Sequence, residues 1–200
     1  MPGPVTFDVE SYFGDFANKS ALAEAERFKT VPTGSYKAQV TKHEGRYFEE
    51  KDGKNSGKYW SAVFSDEKPT DEQLAVWRKG VQVTADLYND ADKKIGNVRF
   101  EASWIDKRND KGYLDQMFNR WSQLKKAVFP NLAKDEEKSI GEVFAALDQF
   151  PIKIRVSESY KVTAIDGSVK WTTAENDEMA KTFREAGYEP RNFVQAVTKL

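Results

Sequence analysis

The segment Gly45–Phe64, GRYFEEKDGKNSGKYWSAVF, carries aromatic pairs on either side of a charged stretch that contains two glycines. The pairs are Tyr47–Phe48 and Tyr59–Trp60. Aromatic rings can stack on nucleic-acid bases and cations can neutralise phosphates, a combination typical of binding to single strands with little sequence preference. The segment is therefore either the solvated tip of a hairpin between core strands or a basic, aromatic finger that holds a ligand. A ligand-holding finger would use the charges of the segment, whereas a hairpin tip would not need them. Our hypothesis is therefore the finger.

Cations and aromatic residues of the same kind occur on other predicted strands and their adjoining turns. Several of the cations occupy the face opposite the apolar one, where a sheet displays side chains to solvent. The candidate nucleic-acid-binding residues are Lys37, Arg46, Tyr47, Phe48, Lys54, Lys58, Tyr59, Trp60, Tyr88, Arg99, Lys107, Arg108, Lys153 and Arg155. For any single aromatic residue on a strand the alternative is a place in the core, which is the more common outcome.

Enzymatic chemistry has little support in the sequence. The chain has no cysteine. Its only histidine is His43, so sites built from several histidines are excluded. It has no Walker-type phosphate loop and no nucleophile elbow. We therefore expect no enzymatic activity, no cofactor and no metal. The only candidate metal ligands for a nuclease are the carboxylates of Asp86, Asp90 and Asp92. Their segment, YNDADKKIGN, is however typical of an ordinary turn.

The composition limits the kind of protein and the kind of partner. Of the 200 residues 13% are aromatic, which argues against disorder and favours a soluble domain with appendages. Lysine and arginine number 31 against 32 aspartates and glutamates, so any site for a polyanion must be a local patch. The chain has no apolar run of membrane-spanning length, and its start lacks the layout of a signal peptide. We expect a protein of the cytoplasm, of its own cell or of a host, with no membrane partner.

Alternation of apolar and polar residues predicts the strands that would position these side chains. Strands are predicted within 31–44, 57–67, 81–90, 98–106, 151–159 and 166–173. After the fourth strand the period changes, and apolar residues three and four apart in 113–129 predict an amphipathic helix that ends at Pro130. A second, shorter helix is predicted in 139–150.

This order of elements predicts a mainly β fold with helices, of the α+β class. Antiparallel strands with a helix inserted before the last pair fit a small OB-like Greek-key barrel, although a helix-capped sandwich would give the same order. We predict an N-terminal arm at 1–29, the barrel domain at 30–174 and a C-terminal helical appendage at 175–200. In the appendage a helix is expected to run to about Ala186 and to stop at Gly187.

The segment VPTGSYKAQVTK, the charged hairpin and GKYWSAVFSDE follow one another at the entry to the predicted barrel. This pattern resembles phage-encoded single-stranded DNA-binding proteins with an OB fold, which often open with a Pro-x-Gly-x-Tyr strand and a hairpin ending in Gly-Lys and an aromatic residue. The matching positions are Pro32, Gly34, Tyr36, Gly57, Lys58, Tyr59 and Trp60. The segments LDQMFNRWSQLKKAVF and FPIKIRVSESY resemble the helix and the following strand of such barrels, so that the resemblance covers about 31–173.

The resemblance implies a protein that coats single-stranded DNA during phage replication, recombination or repair, with the hairpin as one wall of the groove. Replication or recombination proteins would then be partners. Many such proteins end in an acidic tail that recruits those partners, whereas this chain ends in NFVQAVTKL. Its ends are instead candidates for self-association into a homo-oligomer.

The alternative is a structural or protein-interaction module without nucleic-acid affinity, such as a virion component or a partner-binding domain. The balanced charge, the aromatic-rich ends and the lack of catalytic residues favour this alternative.

Overall fold

The structure is a computed structural model that describes residues 30–52, 54–61, 69–108, 112, 115–133, 136–163 and 167–200. The predicted N-terminal arm and the predicted continuation of the second strand over 62–67 lie outside these ranges. The strands are β1 (Gly34–Lys51), β2 (Lys54–Trp60), β3 (Arg78–Tyr88), β4 (Lys94–Ala102), β5 (Ile152–Thr163), β6 (Val169–Thr173) and β7 (Pro190–Lys199). The helices are α1 (Asp71–Val76), α2 (Gln116–Val128), α3 (Ile140–Gln149) and α4 (Asp177–Glu185).

The strands of the described ranges form one antiparallel sheet with the order β4-β3-β1-β5-β6, with β2 paired to β1 and β7 paired to β5. β1 organises this sheet because it pairs with β3 on one side, and with β5 and then β2 on the other. Its register shifts between Val40 and Lys42. Such a bulge bends a strand and increases its twist, which lets one long strand serve two groups of neighbours.

The predicted fold class is confirmed, since the chain is mainly β with helices and α2 is inserted between β4 and β5. The sheet is open between β4 and β7 within the described residues, and α2 packs on both strands there. Arg120 of α2 donates a hydrogen bond to the carbonyl oxygen of Val194 at 3.0 Å, and the backbone N–H of Val197 donates to Gln123 at 2.9 Å. Side chains of a helix thus satisfy backbone groups of β7 that a closed barrel would pair with a strand.

The hydrophobic core lies on one face of the sheet, which we call the inner face; the opposite face is the outer face. Alternate residues of β3 and β5 point inward, and α2 and α3 cover them. The main buried residues of these elements are Val81, Val83, Ala85, Leu87, Ile152, Ile154, Val156, Trp121, Leu124, Val143, Phe144 and Leu147.

α2 begins later than the apolar spacing predicted. Asp115 is its N-cap, and its side chain accepts a hydrogen bond from the N–H of Phe118 at 2.8 Å. Aspartate is a favoured residue at this position because its carboxylate pairs with an N–H group that has no partner inside the helix. The helix ends at Val128, just before Pro130, as predicted.

The C-terminal segment differs from the expected helical appendage. α4 lies where a helix was predicted, and Gly187 follows it with φ of +82°. β7, however, pairs with β5 from Pro190 to Lys199, and Val194 and Val197 are buried in the core. A register shift beside Val194 inserts one residue into β7, so its two core valines are three positions apart and imitate helical spacing.

A buried carboxylate anchors α4 to β5. Glu158 is 2% exposed, and Arg184 of α4 approaches its two carboxylate oxygens at 2.5 and 2.7 Å. The hydroxyl of Tyr160 donates a short hydrogen bond to the same carboxylate. Burial, together with the negative charge of Glu158, raises the pKa of Tyr160 to about 12.

Arg184→Met should destabilise the protein, because Glu158 would remain buried without its cation. We expect a loss of about 2–3 kcal/mol in the free energy of unfolding, at the low end for such a pair since half of the Arg184 side chain is exposed. Urea denaturation measures the change. Lys181→Met removes the exposed pair with Glu185 on the same helix and should change the stability by less than about 0.5 kcal/mol. Equal effects of the two substitutions would contradict the anchoring role.

Tyr160→Phe should alter the dependence of stability on alkaline pH. The pKa of Tyr160 is raised in the folded state, so the unfolded chain ionises first and stability falls between pH 10 and about 12. The variant lacks this loss, so its difference in unfolding free energy from the wild type should shrink as the pH rises through that window. A difference that stays constant from pH 9 to about 12 in urea titrations would show that this hydroxyl does not carry the effect.

Candidate nucleic-acid interface

β5 displays cations on the outer face because its side chains alternate between the two faces of the sheet. Ile152 and Ile154 point into the core, whereas Lys153, Arg155 and Lys161 lie on the outer face and are exposed. The strand rises by about 3.3 Å per residue, so the cations at 153 and 161 are separated by about 26 Å along it.

The neighbouring strands β1, β6 and β7 add four side chains to this surface. Opposite positions 153, 157, 159 and 161 of β5 lie, respectively, Lys37, Phe193, Arg191 and Trp171. We call the combined surface the basic band; it consists of Lys37, Lys153, Arg155, Lys161, Trp171, Arg191 and Phe193.

An exposed pair of aromatic rings lies within the basic band. The ring centres of Trp171 and Phe193 are 5.2 Å apart at an interplanar angle of 66°, and the side chains are 43% and 37% exposed. Ser157 and Ser159, the outer-face residues of β5 between the two strands, are small and buried, which leaves room for rings from β6 and β7 to meet across β5. The guanidinium carbon of Arg191 lies 5.4 Å from the centre of the Trp171 ring. The pair can therefore offer both an apolar edge and a nearby positive charge to a flat ligand.

The positive charge of the basic band is largely uncompensated. Lys153, Arg155, Lys161 and Arg191 make no ion pair with any residue that the structure describes, while Lys37 pairs with Asp92 at 2.7 Å. A chain with a formal net charge of −1 can attract a polyanion only through a local patch of this kind.

The predicted hairpin is present, but it is more regular than its sequence suggested. β1 continues to Lys51 and β2 resumes at Lys54, so that the charged stretch is mostly strand rather than loop. Asp52, at the turn, has φ of +52°. The two aromatic pairs face each other across the strands, Tyr47 opposite Trp60 and Phe48 opposite Tyr59.

Two aromatic residues assigned to the finger are not accessible to a base. Tyr47 is 6% and Phe48 1% exposed. Phe48 packs over Gly80, where an added Cβ would lie 3.0 Å from its ring. Trp60 is half-buried, whereas Tyr59 is exposed. Both aromatic residues of β1 are thus interior, whereas those of β2, which pairs only with β1 among the described strands, are half-buried or exposed.

Arg46 is also buried rather than displayed. It is 1% exposed, lies 3.2 Å from the carboxylate of Glu44, and has the ring of Tyr59 at 4.1 Å. Next to this pair Asn55 of β2 donates a hydrogen bond to Glu101 of β4 at 3.1 Å, which holds the hairpin against the sheet. Burial raises the pKa of Glu101, and the positive charges nearby oppose that shift. Arg46 therefore serves this polar cluster and not a phosphate.

The remaining predicted residues fall into separate places. Lys54 and Lys58 are exposed on β2, and Arg99 is exposed on β4, where burial of part of its side chain and the charge of Arg46 lower its pKa. Lys107 forms a short ion pair with Glu50, and Arg108 lies 3.8 Å from Asp106.

Tyr88 is half-buried and lies opposite Lys37. Of the predicted set, the structure places Lys37, Lys153 and Arg155 in the basic band.

Sequence reasoning missed four members of the basic band, namely Lys161, Trp171, Arg191 and Phe193. Lys161 continues the alternation of Lys153 and Arg155, and Trp171 lies on a strand that was predicted, so both could have been found. Arg191 and Phe193 lie on β7, whose bulge interrupts the period-two pattern by which a strand is predicted.

Two of the three carboxylates considered for a nuclease are engaged with lysines. Asp86 lies 2.8 Å from Lys94 and Asp92 2.7 Å from Lys37. Among the described residues no three histidine, aspartate or glutamate side chains are placed to hold a metal ion. None of the helices in the described ranges is long and apolar enough to cross a membrane.

Comparison with known proteins returned no match to a family model, to a curated protein or to a solved structure.

Iodide should quench the fluorescence of Trp171 strongly. Trp171 is the exposed one of the five tryptophans, and the cations around it attract an anionic quencher. Trp171→Phe should remove most of the iodide-accessible emission, whereas caesium should quench the wild type weakly. Trp77→Phe, at a half-buried position between α1 and β3, is the control and should leave iodide quenching intact. Unchanged quenching in Trp171→Phe would contradict the described exposure.

Proposed function

We propose that this protein binds single-stranded DNA along the basic band, with phosphates at the cations and bases on the Trp171–Phe193 pair. One observation carries the proposal: uncompensated cations and an exposed aromatic pair share one face of an OB-like sheet. Sequence-tolerant binding of single strands needs these two components together, a charged track for the backbone and rings for the bases.

The aromatic pair favours a single strand over a duplex. A base can stack on Trp171 or Phe193 only when its faces are free, and in a duplex they are covered by the neighbouring bases. The length of the track also suits a strand of several nucleotides, since one OB-type unit holds about 4–16 nucleotides.

The resemblance to phage single-stranded DNA-binding proteins supports a role in coating DNA strands during replication or recombination. Such a role requires affinity and no catalytic group, which agrees with a surface made of lysine, arginine and aromatic residues. Replication or recombination proteins and further copies of the chain are the partners that this role suggests.

A second candidate function, protein interaction, is favoured by the apolar character of one end of the basic band. Val169, Trp171 and Phe193 are all exposed, and β6 pairs only with β5 among the described strands. A partner protein could cover these side chains and extend the sheet at β6.

Neutralising the basic band should weaken binding to oligo-dT and make it less sensitive to salt. For Lys153→Gln/Arg155→Gln we expect the slope of log K against log salt to become shallower by about 1.4, since each lost phosphate contact removes about 0.7 for a single strand. Trp171→Ala should cost about 1–3 kcal/mol of binding free energy through lost stacking. Fluorescence anisotropy of labelled oligo-dT at several salt concentrations measures both effects.

Two control variants locate the interface. Lys126→Gln removes an exposed cation of α2 outside the basic band and should leave binding unchanged. Lys54→Gln/Lys58→Gln/Tyr59→Ala tests the hairpin finger, and a larger loss there than in the band variant would move the interface to the hairpin. If the wild type does not bind oligo-dT at low salt, the proposed function is wrong. A change of solution mass on Trp171→Asp would then support the protein-interaction alternative.

A further inference from the structure

A cleft of about 270 Å³ lies on the outer face where β1, β3 and the start of β5 meet. Its lining residues are Lys37, Gln39, Tyr88, Asp92 and Pro151. Lys37 connects the cleft to the basic band, because it lies opposite Tyr88 on one side and opposite Lys153 on the other. A single strand of DNA whose phosphates follow Lys153 and Arg155 would therefore bring its next base to the mouth of the cleft.

The cleft suits one planar ring system. Its volume lies just below the range of roughly 300–1,000 Å³ that holds drug-sized ligands. Tyr88 and Pro151 give it an aromatic and an aliphatic wall, both half-buried.

Gln39 presents a hydrogen-bond acceptor in a fixed orientation. Its Nε2 group donates to the carbonyl oxygens of Leu147 and Asp148 at 3.1 and 3.2 Å, near the end of α3. Both amide hydrogens are thereby used, which identifies the nitrogen and leaves Oε1 as the group that can accept from a ligand.

Asp92 presents a second acceptor from the opposite wall. Its Oδ1 accepts from Lys37 at 2.7 Å, which leaves Oδ2 for a ligand. The turn that carries it is held by Asn89, whose side-chain oxygen accepts from the N–H groups of Ala91 and Lys93 at 3.1 and 2.9 Å. Asp92 itself has φ of +56° within this turn, so the backbone sets the direction in which its side chain leaves the chain.

We propose that this cleft binds one base of the bound strand and prefers bases that carry an exocyclic amino group. This inference rests on the proposed function and adds base selectivity to it. Cytosine, adenine and guanine can donate amino hydrogens to Gln39 and Asp92 and still offer an acceptor to Lys37. Thymine has a single ring N–H between two carbonyl groups, and those oxygens would face the acceptors of the cleft.

The test compares oligo-dC with oligo-dT of equal, short length at neutral pH by anisotropy. The wild type should bind oligo-dC about 5- to 10-fold more tightly, the low end of what a matched set of base contacts supplies. Asp92→Asn keeps the shape of the side chain and tolerates the positive φ, but it replaces an acceptor by a donor. It should reduce the ratio of the two affinities towards one, while binding to oligo-dT stays equal or becomes tighter because Lys37 loses its pairing charge.

Asp90→Asn is the matched control, since it makes the same charge change in the same turn at an exposed position outside the cleft. The control should keep the wild-type preference for oligo-dC. Equal binding of the two oligonucleotides by the wild type, or a preference that Asp92→Asn leaves intact, would overturn the base pocket while single-strand binding stands. Absence of binding to both oligonucleotides would overturn the proposed function itself.

Discussion

Period-two alternation along β5 is the constraint on which both the core and the basic band depend. The strand is paired on both sides, with β1 and β6 on one and β7 on the other. A slip of one residue would turn Lys153 and Arg155 into the core and expose Ile152 and Ile154. The hydrophobic effect that buries the isoleucines therefore also fixes the backbone positions from which the cations extend outward.

The elements at the margin of the sheet are oriented mainly by buried polar contacts. Arg184 and Glu158 hold α4, Asn55 and Glu101 hold the hairpin, and Arg78 holds the start of α2. Arg78 is 5% exposed, pairs with the N-cap residue Asp115, and donates to Ser103 at 3.0 Å and to the carbonyl oxygen of Ile105 at 2.9 Å. Such contacts are directional, so they fix the angle of a peripheral element more narrowly than apolar packing alone does.

Much of the fold could be predicted from the sequence because alternation and helical spacing report burial directly. The two long helices and the cations Lys153 and Arg155 of β5 followed from those patterns. Two of the failures share one physical cause, an inserted residue in a strand. The bulge in β7 gave Val194 and Val197 helical spacing, and the sharply bent β1 brought its hairpin against β4, so that Arg46 and Phe48 became interior residues. Pairings between distant segments, such as Trp171 with Phe193, leave no local pattern that a single sequence can show.

On the side that faces β4, β7 is joined to α2 by side-chain contacts rather than by a ladder of backbone hydrogen bonds. β1 and β3 are joined by a ladder from Lys37 to Phe48 with one bulge, whereas β7 is held to α2 by the side chains of Arg120 and Gln123 and by the packing of its core valines. Widening the gap between β4 and β7 would break these two hydrogen bonds and part of the apolar packing of Val194 and Val197, and would leave every described ladder intact. Such an opening would keep the register of β5 with β1, β6 and β7, and therefore the relative order of the side chains in the basic band.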